Sequence, residues 1–321
     1  MPSVRIFLLI VVSLSILLAS LFLGPTPISP FTPDPVEQEI LLSIRMPRVI
    51  VALLIGIALG TSGAVLQGIL RNPLADPYVL GISSGAAFIA ALSLLSGFYL
   101  LGKFTLPLSA FGGACLASVM VGIFGWKQGN LLPERLLLAG IGLGFLFYAA
   151  MMLVMSISTS EGMRRTVLWI FGDLAMADWS VIPYGFAFIA SGFGIAVMRA
   201  KALNTLMLGD DLAHSLGFSV HRERLLLFIS VALMTGASVS LGGTIGFIGL
   251  IIPHMVRFFV GANSRYVIPV SALCGGVFLC ISDLIGKTIL SPLEIPAGII
   301  TALIGSPYFL YLLRRRDVFQ S

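Results

Sequence analysis

Few side chains in this 321-residue sequence could do chemistry, and their spacing excludes most of it. The three cysteines, Cys115, Cys274 and Cys280, lie within apolar runs at spacings that fit neither a metal site nor a disulfide framework. GISSG (Gly81–Gly85) matches the nucleophile-elbow pattern of hydrolases, which needs a strained strand-to-helix turn with histidine and acid partners. Ser83 instead opens an apolar helix, and none of the three histidines (His214, His221, His254) is placed to complete a triad. Small residues for close helix packing are the better reading. GKT (Gly286–Thr288) ends like a phosphate loop, but the first glycine of that motif would fall on Ile281. No phosphate cradle is therefore present. His254 follows Pro253 and reads as a kink residue bonded to a freed backbone carbonyl, while Asp283 reads as close enough to water to need no special role. No catalytic set, cofactor site or metal site emerges.

The elements that carry these residues are set by composition. Hydrophobic residues make up 58% of the chain and charged residues 10%, against about 45–50% and about 25% in a soluble domain. Few charges exclude a disordered chain and a nucleic-acid binder with a basic stripe. A membrane-crossing helix needs roughly 20 apolar residues. Ten runs qualify: Ile6–Leu23, Val49–Leu70, Val79–Leu101, Leu106–Phe124, Leu136–Ile157, Val181–Val197, Leu225–Leu241, Ile245–Val260, Val267–Ile281 and Ile295–Leu313. The seventh and eighth come from one charge-free run, Leu225–Met255, which Gly242-Gly243 is expected to break. The first run exceeds a signal-peptide core and no convincing cleavage site follows, so it counts as a span. The expectation is a single all-α polytopic membrane domain over residues 1–321.

Lys and Arg set its orientation. With ten spans and both termini cytoplasmic, thirteen of the nineteen basic residues fall inside, including Arg71, Arg199, Arg222, Arg224 and Arg314–Arg316. The outer side receives Arg45, Arg48, Lys103, Arg164, Arg165 and Lys287. Gly24–Arg48 reads as an extended outer linker. Ser158–Ser180, with Trp169 and Trp179, reads as interfacial. Asn72–Tyr78 holds Pro73 and Pro77 in a rigid turn. GIALG (Gly56–Gly60), GIGLG (Gly140–Gly144) and GGTIG (Gly242–Gly246) read first as packing sites within one subunit, with a dimer seam as the other choice.

The cytoplasmic stretch Arg199–Arg224 is unusual for a loop. Leu206, Leu212, Leu216 and Phe218 are apolar, and Gly209 and Gly217 divide it into short helical pieces. Apolar residues suit a loop that docks into another protein's cleft. Gly217 is expected to end the second piece as a left-handed cap.

The sequence RMPRVIVALLIGIALGTSGAVLQGILRNPLADPYVLGISSGA (Arg45–Ala86) resembles the signature of FecCD-type permeases, the membrane subunits of type II ABC importers. LGDDLAHSLGFSVHRER (Leu208–Arg224) looks like that family's coupling loop, and GTIGFIGLIIPHMVRFF (Gly243–Phe259) and EIPAGIITALIGSPYFLYLLRR (Glu294–Arg315) resemble its eighth and tenth helices. The family carries ferric siderophores, haem and cobalamin across the cytoplasmic membrane of bacteria and archaea. The resemblance implies a permease without enzymatic activity or cofactor. Its implied partners are the lipid bilayer, a second copy of itself, two ATP-binding subunits and an extracytoplasmic binding protein; no nucleic acid is involved. It puts the ATPase-coupling loop at about residues 203–221, with Leu206, Gly209, Asp210, Leu212, Leu216 and Gly217. It puts the cytoplasmic gate at Asn72, Leu74, Pro133 and Glu134, although NLLPER (Asn130–Arg135) departs from the family's usual sequence there. It puts binding-protein docking at Arg45, Arg48 and Lys287, the last where an arginine is often found. The cargo implied first is a ferric siderophore, then haem or cobalamin. An ion-coupled transporter is the alternative, but it needs ionisable residues at the bilayer midplane that this chain almost lacks.

Overall fold

The computed structural model describes residues 2–26, 28–29, 34–97 and 101–314. Arg315, Arg316 and the end of the third predicted run at residues 98–100 lie outside them. The helices run in chain order as α1 (Pro2–Phe22), α2 (Pro35–Ile40), α3 (Met46–Ile69), α4 (Ile82–Ser96), α5 (Thr105–Gly125), α6 (Pro133–Ser156) and α7 (Ser160–Ile170). They continue as α8 (Ile182–Met198), α9 (Ala200–Leu208), α10 (Asp210–Ser215), α11 (Val220–Gly242), α12 (Ile248–Val260), α13 (Ser264–Thr288) and α14 (Ala297–Arg314). Each of the ten apolar runs contains a helix among the described residues. Among the described residues five helices are long and apolar enough to cross a membrane, or six if α8 and α9, bent by 56°, are counted as one span. Val11–Phe22, α4, α12 and most of α14 form shorter apolar helices. Large apolar side chains such as Leu116, Ile123, Leu138, Phe145 and Leu153 face outward from α5 and α6, a surface water would not accept. The protein is a multi-pass membrane protein.

Three stretches differ from the sequence expectation. Residues 35–48 are not an extended linker. Pro35 opens α2, where the missing proline N–H costs nothing, and a π-helical turn (Leu41–Arg45) carries the chain into α3 without a break. Between α5 and α6, Trp126–Lys127 (β1) pairs antiparallel with Asn130–Leu131 (β2). Gln128 and Gly129 both take positive φ, as a two-residue hairpin turn requires. In the segment after α6, Trp169 of α7 is buried, whereas Trp179 is exposed and donates its Nε1–H to the Leu42 carbonyl at 2.8 Å. The Gly242-Gly243 break is where the sequence puts it: α11 ends at Gly242, and Gly243 adopts φ 71°, open to glycine at little cost.

Helix α3 is the axis of the bundle. Almost all of it is buried, and α13, α11, α12 and α8 pack around it. Its glycines allow backbone to touch backbone. A Cβ added to Gly56 would stand 2.2 Å from the Gly275 carbonyl oxygen, and one on Gly60 would stand 2.3 Å from that of Ser271, both in α13. One on Gly63 would stand 2.0 Å from the Gly249 oxygen in α12. GIALG is thus an intrachain packing site. GISSG serves the same end, with Gly85 of α4 against Gly113 of α5.

Gly56→Ala is expected to force α3 and α13 apart and cost about 1–3 kcal/mol, in the range of an overpacked core. Gly142→Ala in α6, where an added Cβ meets nothing within 4 Å, should cost nothing. Thermal unfolding in detergent compares the two, and equal melting temperatures would contradict the packing role.

Candidate functional site

The polar residues collect at the two ends of α3. At its start, Arg45 reaches back to α1 and donates Nη1 to the carbonyls of Leu21 (3.0 Å) and Phe22 (2.8 Å). Its Nη2 donates to the Thr26 carbonyl and hydroxyl. Lys287, in the last turn of α13, donates Nζ to the Ser20 carbonyl at 2.7 Å. The last carbonyls of α1 have no intrahelical partner and carry the negative end of its dipole, so two cations cap it. Arg48 lies one turn beyond Arg45. Its Nε and Nη2 grip Asp283 at 2.9–3.0 Å, and its Nη1 meets Glu294 at 2.7 Å. Arg48 and Lys287 are only 8% and 3% exposed.

These contacts correct one sequence reading. Asp283 is not a bystander near water; it is buried and balances Arg48. Arg45, Arg48 and Lys287 do come together, but with their donors already bonded inside the chain. Glu294 is the exposed member, with 37% of its side chain accessible.

At the opposite end, α9 and α10 are the short helices that Gly209 and Gly217 delimit. Phe218 N–H bonds the Ala213 carbonyl (3.0 Å) and Gly217 N–H that of His214 (2.9 Å), a paired closure with Gly217 at φ 84°. Leu206 is buried beneath the loop, against the expectation from composition that it belongs to an outward-facing set. Leu212 and Leu216 are 44% and 57% exposed, and Leu208 is exposed beside them. A cleft of about 600 Å³, lined by Asn130, Asp210, Asp211, His214, Phe218 and His221, opens between α10 and the hairpin.

Asp210 is the junction of this end. Its carboxylate accepts from Arg224 Nη2 at 2.8 and 3.0 Å and from Arg71 Nη2. Arg224 is 1% exposed and donates Nη1 to the Leu131 carbonyl in β2 at 2.7 Å. Arg71 donates Nε to the Leu206 carbonyl at 2.8 Å. Burial pushes the Asp210 carboxyl up, but the Arg224 hydrogen bond and charge, with Arg71, hold it below the usual carboxylate range. The bridge is therefore fully formed at neutral pH and is lost only as pH falls through the acid range.

In the turn after α3, the Asn72 Oδ1 accepts from Leu74 N–H at 2.9 Å, the local bond that stiffens an Asx turn. Pro133 opens α6 and Glu134 is exposed in its first turn. Among the described residues, the hydrogen bonds of Asn72 and Leu74 do not reach Pro133 or Glu134; the two loops meet through Asp210 and Arg224. Sequence reading missed two residues here. Gln67 donates Nε2 to the carbonyls of Ala75, Gly249 and Leu250 and accepts from Arg257. Asp76 is buried and accepts from the N–H groups of Tyr78 and Leu250; burial pushes its carboxyl up to about 6 against those bonds. A glutamine inside an apolar run and an aspartate between two prolines were the available signal. His254 is buried edge-on to Phe258, and its Nε2 has no partner, unlike the carbonyl-bonded kink residue expected.

A family model described as the FecCD transport family matches residues 7–315. The chain belongs to the FecCD transport family. The hemin transport system permease of Yersinia pestis is 40% identical over 282 residues, 87% of this chain and 84% of the relative. The cobalamin import system permease of Halobacterium salinarum is 39% identical over 283 residues, 88% of this chain and 75% of the relative. A solved structure assigned to the inward-facing conformation of a metal-chelate type ABC transporter superposes with a TM-score of 0.89 at 34% identity, over 98% of this chain and 99% of that one. The family match thus runs over nearly the full length of the chain, with polar clusters at both ends of its central helix.

The buried Arg48–Asp283 pair yields a stability test for this FecCD member. Arg48→Met and Asp283→Leu should each cost about 3 kcal/mol, because each strands the other's charge. The double variant should cost less than the sum, since both charges leave together. Strictly additive losses in detergent melting would show that the two groups do not interact.

Proposed function

We propose that the chain is the membrane-spanning permease subunit of an ABC importer, two copies of which carry a metal chelate across the cytoplasmic membrane of a bacterium or archaeon. A ferric siderophore is the first candidate, with haem and cobalamin next. On this reading all ten apolar helices cross the bilayer with both termini cytoplasmic, as the Lys and Arg distribution supports. Two ATP-binding subunits dock at α9–α10 and supply the energy. The observation that carries the reading is the set of exposed leucines, Leu208, Leu212 and Leu216, on short helices at the charged end of the bundle. Outside a bilayer such a patch is covered by a partner.

The turn at Asn72–Leu74 and the start of α6 at Pro133–Glu134 act as the cytoplasmic gate, opened when the ATP-binding subunits close. An ion-coupled transporter is disfavoured, because the ion pairs among the described residues lie in loops or at helix ends rather than at mid-bundle. The test is recovery of the ATP-binding subunit with the tagged permease. Leu212→Asp should lose most of it, and Gly217→Val should lose part, because a branched residue is strained at φ 84°. Full recovery with both variants would sink the assignment.

The opposite end is the docking face for the extracytoplasmic binding protein. Three cations against Asp283 and Glu294 leave it net positive, which supports attraction of an acidic partner. Carboxylates of that partner take the place of the exposed Glu294 on Arg48, whose planar fork suits them. Glu294→Gln should therefore tighten docking severalfold and steepen its salt dependence, while Lys287→Gln weakens it. Affinities unmoved by both changes would leave these residues a structural role alone.

A further inference from the structure

We propose that Asp210 is a positioning residue that ties the coupling loop to both cytoplasmic gate segments, through Arg71 to the turn after α3 and through Arg224 to the hairpin before α6. The role rests on the permease reading above. Its basis is a single carboxylate at the start of α10 holding two guanidinium groups from different parts of the chain. The Arg71 arm ends one residue before Asn72, and its Nε also bonds the Leu206 carbonyl at the end of α9. The Arg224 arm is buried and passes to the Leu131 carbonyl, two residues before Pro133.

Charge-assisted bonds of 2.7–3.0 Å between a partly exposed loop and buried groups do not stretch by an ångström without breaking. A push on α10 by a docked subunit therefore either carries both arms with it or ruptures the junction. The neighbouring Asp211 has the same charge but is exposed and, among the described residues, bonds to neither arm. The two-aspartate sequence thus holds one structural junction and one free carboxylate. The cleft beside α10 leaves room for the loop to move relative to the hairpin.

The experiment is amide hydrogen exchange on the permease assembled with its ATP-binding subunits, with and without ATP and vanadate. It needs no knowledge of the cargo. In the wild type, residues 71–76 and 126–134 should both change protection when nucleotide binds. Arg71→Gln should lose the change at 71–76 and keep it at 126–134. Asp210→Asn should lose both, compared per ATP-binding subunit retained, and Asp210→Glu should restore at least part of each. Asp211→Asn should keep both. A merely structural role would raise exchange in all states alike and would not separate the two arms. Responses in Asp210→Asn equal to the wild type overturn the role of Asp210. A wild-type chain that binds no ATP-binding subunit overturns the permease reading itself and this role with it.

Discussion

The backbone contact between α3 and α13 is the constraint on which the rest of the structure depends. In a bilayer the lipid tails are as apolar as the side chains, so helices are not driven together by exclusion of water. What holds them is close van der Waals contact, and that requires surfaces without side chains in the way. Gly56 and Gly60 on α3, facing Gly275 and Ser271 on α13, supply such a surface. Gly63 extends it to α12. Because α3 spans about 36 Å at 1.5 Å per residue, this one seam fixes where both of its ends lie.

The polar chemistry follows from that placement. Arg45 and Arg48 flank the start of α3, and Arg71 and Asn72 follow its end, so each end of the axis carries a cluster drawn from distant parts of the chain. At one end the cations cap α1 and pair with α13, which ties the first and ninth apolar segments to the second. At the other, Asp210 and Gln67 connect the α9–α10 loop, the turn after α3 and the start of α12. Among the described residues the ion pairs lie in loops, in the short helix α7 or near helix ends, since an unpaired charge in the apolar middle would cost several kcal/mol. His254 is the residue that departs from this pattern, held in α12 by an aromatic contact and not by a hydrogen bond through Nε2.

The bends and breaks have equally local causes. The π turn at Leu41–Arg45 adds a residue to the helix between α2 and α3. The 56° bend between α8 and α9 redirects the chain, leaving Leu206 buried and Leu208 exposed. The left-handed Gly217 then closes α10 against the start of α11. Each feature brings residues to an end of the bundle that a straight helix would have carried past it.

Hydropathy in the sequence determined the ten apolar helices, because a bilayer accepts no other backbone arrangement from such runs. It also determined the break at Gly242-Gly243 and the capping role of Gly217, since these depend on φ values that glycine adopts freely. The family was legible too, in long ordered motifs from Arg45 to Arg315. Local sequence could not reveal which polar residues meet. Arg48 finds Asp283 and Glu294 from 235 and 246 residues away, and Asp210 meets Arg71 across 139. Burial of Arg45, Arg48 and Lys287, the inward turn of Leu206 and the helix over 35–48 were likewise invisible, because each depends on what another segment presents to it. Sequence settles which segments form apolar helices through the cost of solvating their own groups; only the tertiary fold settles which charges neutralise one another, because that is a matter of distance between segments far apart in the chain.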